Sequence, residues 1–98
     1  MFTAPQHLRQ LFNSGPYMEW ITQGALSLEY LRNDHLKAPD AKGNQPCTRR
    51  QMIRYLDAQG NPVVEVFQYL RRDGSLGASG RPDPKRLWVA DGRVLFTR

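Results

Sequence analysis

The sequence predicts an α+β domain: one or two N-terminal helices packed on a small antiparallel sheet of three or four strands, with a central β-hairpin. Three observations carry this. Apolar residues recur at helical spacing in the first third of the chain. Two alternating runs, 49–57 and 62–72, flank the turn-forming stretch Ala58-Gln59-Gly60-Asn61. Apolar runs then return on either side of Asp91-Gly92. At 98 residues the chain reads as a single domain with room for one modest core. It divides into a helical part (1–32), a loop (33–48) and a sheet part (49–98) that contains a Gly/Pro-rich basic loop at 74–86.

Thr3 and Gln6 have the spacing of a capping box, and Pro5 suits a first helical turn. Leu8, Leu11 and Phe12 then line one face, which predicts a helix near 4–13 stopped by Asn13-Ser14-Gly15-Pro16. Tyr17, Ile21, Gly24, Leu28 and Leu31 also share a helical face, and the prevalence of Ala, Leu, Glu and Arg predicts a helix over 17–32. The alternation of Leu26, Leu28 and Tyr30 with Ser27 and Glu29 leaves a second reading, a short helix broken at Gly24 and followed by a strand. Breakers crowd 33–48, which reads as a loop.

The hairpin can be assigned a register. Pairing Asp57 with Pro62 sets Arg54 opposite Glu65, Gln51 opposite Gln68, Ile53 opposite Val66 and Tyr55 opposite Val64. Opposite charges and matched apolar groups then face each other, as cross-strand energetics favour. Ile53, Tyr55, Val64, Val66 and Leu70 form the expected core face. Met52, Leu56, Val63, Phe67 and Tyr69 share the other face with the Arg54–Glu65 pair, so helices or a second subunit are expected to cover it. At the C-terminus, Asp91-Gly92 signals a hairpin, while Asp83-Pro84 equally suits a helical turn over 84–89; both readings end in a strand at 93–97.

Composition narrows the function classes. A single cysteine, Cys47, excludes an intrachain disulfide and fits a reducing, cytoplasmic setting. With His7 and His35 it cannot supply the usual zinc-ligand spacing, and no cofactor motif is present, so no metal or cofactor is expected. No run approaches the roughly 18 apolar residues of a membrane span, and the start lacks the character of a secretion signal.

Charge is the strongest functional signal. Residues 1–48 hold four basic and four acidic groups; residues 49–98 hold ten and five, so the net charge of +5 lies entirely in the second half. Arg49, Arg50, Arg71 and Arg72 fall at the open end of the hairpin, from which the loop carrying Gly77, Gly80, Arg81, Lys85 and Arg86 departs. These nine residues form the predicted anion-binding set. Arginine offers a planar fork of donors suited to phosphate and carboxylate. Gly74, Gly77 and Gly80, three residues apart, suggest backbone N–H groups turned toward an anion. Tyr55, Phe67, Tyr69 and Trp88 are candidate stacking residues. The function expected is a small non-catalytic binding module for an anionic partner, either nucleic acid or an acidic protein surface. The alternative is a protein-interaction or oligomerisation module; in either case a homodimer is expected from the apolar residues on both hairpin faces. A small enzyme, with His35 and Asp34 as its base, ranks third.

Overall fold

The computed structural model describes residues 1–36, 47–77, 80–89 and 92–97. Among these, two helices, α1 (Pro5–Ser14) and α2 (Tyr17–Thr22), precede five strands: β1 (Ser27–His35), β2 (Cys47–Leu56), β3 (Pro62–Arg71), β4 (Asp83–Trp88) and β5 (Val94–Phe96). The strands form one antiparallel sheet in chain order. The α+β class stands. The sheet has five strands rather than three or four, and the β2–β3 hairpin is one link of a meander. No helix among the described residues is long and apolar enough to cross a membrane.

The helix expected over 17–32 stops at Thr22. Gly24 has φ +72, its N–H donates to the Ile21 carbonyl, and the Ala25 N–H donates to that of Trp20. This pair of bonds is a Schellman cap, which needs a left-handed residue and so selects glycine. The chain emerges as strand β1, the second of the two sequence readings. Strand structure also extends into the expected loop 33–48, at 33–35 and again at 47–48. Its polar residues find partners on β2. Asn33 Oδ1 accepts from Gln51 at 3.2 Å, and Asp34 accepts from Arg50 at 3.3 Å. Cross-strand pairing outweighs the turn preference of these residues. Residues 37–46 of that loop lie outside the described residues.

The expected capping box does not form. Ala4 caps α1 without a side-chain bond, and the Thr3 N–H instead donates to the Phe96 carbonyl. Phe2 thereby bridges to Phe96 and lines the outer edge of β5. The helical turn expected at 84–89 is strand β4, paired with β5 through Leu87–Leu95 and Trp88–Val94. Pro84 is accommodated because it is the second residue of the strand and lies beside a register shift.

The predicted hairpin register is observed at Gln51–Gln68, Ile53–Val66, Arg54–Glu65 and Tyr55–Val64. At the turn, a shift pairs Leu56, rather than Asp57, with Pro62. Asp57 instead folds back. Its carboxylate accepts from the N–H groups of Gln59 and Asn61, both at 2.9 Å. Such an Asx turn competes with ladder pairing.

Both helices pack on one face of the sheet. Leu8 and Phe12 of α1 are fully buried against Ile53, Tyr55, Val64, Val66, Leu87 and Leu95. Tyr17, Met18 and Ile21 of α2 flank this cluster, and the Tyr17 ring stacks on Phe12. Leu70, expected in the core, is half-buried outside it. The opposite face carries no helix among the described residues. There the register aligns an alternating charge ladder across four strands: Glu29, Arg54, Glu65 and Arg86. Arg54 Nε donates to Glu65 at 2.9 Å and its Nη1 to Glu29 at 3.4 Å. Arg86 ends the row over the Phe96 ring.

Candidate functional site

The glycine-rich loop begins as a tight turn on the end of β3. The Arg71 N–H donates to the Ser75 carbonyl, and the Gly74 N–H donates back to Arg71. Gly74 has φ +88, a left-handed position that closes a three-residue connection. The Asp73 carboxylate accepts from the hydroxyl and the N–H of Ser75, and these bonds hold its pKa below the ordinary aspartate value. The chain then runs back along β3. Leu76 bridges Leu70, and the Gly77 N–H donates to the Tyr69 carbonyl at 2.9 Å. Further along the same edge, β4 takes over and pairs Asp83 with Phe67.

Between the loop and β4 the edge of β3 opens into a cleft of about 550 Å³. That is the size of a small-ligand site. Phe67, Gln68 and Tyr69 of β3 form one wall, and Gly77, Arg81 and Pro82 form the loop side. Asp83, Pro84 and Lys85 close the β4 side, and Arg9 and Asn13 of α1 complete the lining. The carboxylate of Asp83 lies 3.0 Å from Lys85 Nζ and 3.6 Å from Arg9. Arg81 donates to the Asn13 side chain at 3.2 Å. Among the described residues, three cations therefore share the cleft with one carboxylate. Phe67 and Tyr69, on the β3 wall, set their rings perpendicular to each other with centroids 5.1 Å apart.

The structure brings together only part of the predicted anion-binding set. Gly77, Arg81 and Lys85 line the cleft. Arg49 and Arg50 are consecutive on a strand and so point to opposite faces. Arg49 donates to the Asn33 side chain at 3.2 Å and sits 3.3 Å from His35 Nε2. Arg50 pairs with Asp34 on the other face. Arg71 ends β3, Arg72 is exposed in the turn, and Arg86 lies on the charge ladder, 3.9 Å from Glu65. The glycine amides do not form an anion nest. The N–H groups of Gly74, Gly77 and Gly80 all donate to backbone carbonyls, the last to Gly77 itself. The proposed His35–Asp34 base does not assemble either. The two side chains leave β1 on opposite faces, and Asp34 is held by Arg32 and Arg50. The Arg32 hydrogen bond, ahead of Arg50, lowers the Asp34 pKa.

Sequence reasoning missed Arg9 and Asn13, whose approach depends on α1 packing across β4. No local spacing signals a contact between positions so distant in the chain. Among the described residues, no cluster of His, Cys, Asp and Glu is arranged to hold a metal. No protein-family model matches the chain, and neither a curated protein nor a solved structure is significantly similar to it.

Proposed function

We propose that the protein is a non-catalytic binding module that takes an anionic partner at the cleft between the glycine-rich loop and β4. The observation that supports this is the charge of the described lining: among the described residues, Arg9, Arg81 and Lys85 gather around one carboxylate, Asp83. Converging cations cost free energy unless an anion compensates them. Asp83 supplies one negative charge, and a phosphate or carboxylate of the partner adds to it. The flanking prolines Pro82 and Pro84 stiffen the segment, which lowers the ordering cost on binding.

A salt series with heparin tests the proposal. Affinity falls linearly on a log–log plot, with a slope of about −0.7 to −0.9 per anionic contact if heparin behaves as the nucleic-acid polyanions do. Joint replacement Arg81→Ala/Lys85→Ala flattens that slope by one to two units. Arg86→Ala, on the charge ladder rather than in the cleft, leaves it unchanged. Failure of the wild-type chain to bind heparin at low salt refutes the proposal.

A second reading rests on a different observation. Leu28, Tyr30 and Leu31 of β1 are 49%, 50% and 42% exposed, on a strand whose outer edge has no partner among the described residues. This favours self-association through β1, with no nucleic-acid role. A bulge beside Leu31 disfavours edge pairing, since bulges blunt strand edges. Sedimentation showing a species at twice the 11.3 kDa chain mass, lost on Tyr30→Lys, supports this second reading.

A further inference from the structure

The cleft is not only cationic. Phe67 and Tyr69 line it and also project, by strand alternation, onto the sheet face that no described helix covers. Their register partners on β2 are Met52 and Arg50. Adjacent positions of that face carry Arg54 and, by alternation, Arg71. Flat rings thus stand between the cleft cations on one side and a row of arginines on the other. An acidic peptide would use the cations and leave the rings idle. A duplex would offer phosphates, but its bases are stacked on each other and hidden from a ring wall. A single strand offers both groups at once: phosphates for the cations and open base faces for the rings.

We infer that the anionic partner is a single-stranded nucleic acid, held by its phosphates at Arg81 and Lys85 with a base stacked against the Phe67–Tyr69 pair. This rests on the anion-binding reading of the cleft and specifies its ligand. Discrimination comes from the base face rather than from base edges, so the preference is for strandedness over sequence. Arg50 and Arg54 are tied to Asp34, Glu29 and Glu65 and serve as a positive rim rather than as the primary phosphate contacts.

The experiment compares five probes by fluorescence anisotropy at about 50 mM salt: a short oligothymidylate, an abasic oligonucleotide of equal length, the corresponding duplex, heparin and poly-glutamate. The oligothymidylate is expected to bind roughly ten-fold more tightly than the abasic strand, as one stacked base implies. Tyr69→Leu, which keeps apolar bulk but removes the ring, erases that difference. Tyr69→Phe retains the difference. The abasic probe needs no variant, so the result survives if Tyr69→Leu unfolds. Heparin binding with equal affinity for oligothymidylate and abasic strand, or with tighter binding to duplex, overturns the single-strand assignment while the cleft remains an anion site. Binding to poly-glutamate but to no nucleic acid also overturns it and points to an acidic protein. Binding to none of these probes removes the anion site itself.

Discussion

The two faces of the sheet solve the same burial problem with different chemistry. On the helix-covered face, Val64, Val66, Ile53 and Leu87 are sealed by Leu8 and Phe12. On the other face, Glu65 is only 6% exposed, yet it is screened by charged neighbours, Arg54 and Arg86, rather than by a helix. Arginine can do this because its aliphatic stem lies along apolar surface while its head stays in contact with water. The contrast separates two kinds of surface. One face contributes stability through area removed from water, and the other carries charge and rings at moderate exposure.

Breaking the covered face has the largest expected effect. Phe12→Ala removes a buried ring from the helix–sheet contact and should destabilise the domain by about 3–5 kcal/mol. On the open face, Phe67→Ala removes a half-buried ring of the same size and should cost clearly less. Chemical denaturation of both variants measures the comparison. Equal losses would show that the open face is as much a core as the covered one, which undermines its assignment as a binding surface.

The next effect sharpens the open face itself. Glu65 is nearly inaccessible, whereas the Arg54 side chain is 33% exposed. Arg54→Met strands a buried carboxylate with only the more distant Arg86 beside it, and such uncompensated burial costs about 3 kcal/mol. Glu65→Gln leaves Arg54 able to reach water and Glu29, and should cost about 1 kcal/mol, the scale of a lost hydrogen bond. The order of the two losses in denaturant melts is the test. A larger loss from Glu65→Gln would mean that the ladder depends on its anions rather than on its arginines.

The same contrast explains what could be read from the chain alone. The β2–β3 register was legible because its information is local and redundant: one charge pair, one amide pair and two apolar pairs agree on a single alignment. Strand β1 was harder. Its alternation is broken by the bulge beside Leu31, and Asn33, Asp34 and His35 are residues of turns unless β2 supplies partners. Those partners are Arg49 and Arg50, which the charge pattern assigned to an anion site. Their period-two separation onto opposite faces was in principle visible. That Arg81, Lys85 and Gly77 lie near one another was legible because they share one short segment, and all three line the cleft. Arg9 and Asn13 were not, because only the docking of α1 on β4 brings them there.

Titration gives the smallest effects and distinguishes the faces by sign. Tyr55 belongs to the covered face, and burial, with Tyr30 nearby as a lesser cause, raises its pKa above the ordinary value of 10.0. The folded state therefore holds this proton more tightly than the unfolded state. The resulting stability is present below pH 10 and is lost as pH rises through the folded pKa. Asp34 belongs to the open face, and its hydrogen bond from Arg32, reinforced by Arg50, lowers its pKa below the ordinary 3.8. Its contribution is present above that value and is lost as pH falls through the folded pKa, and exposure to solvent keeps it small. Tyr55→Phe should flatten the alkaline limb of a stability–pH curve and leave the acid limb unchanged. Asp34→Asn should do the reverse, by less. If Tyr55→Phe leaves the alkaline limb as steep as before, the Tyr55 hydroxyl is not held by the covered face, and the seal that α1 and α2 make over β2 is looser than the packing of Phe12 and Tyr17 implies.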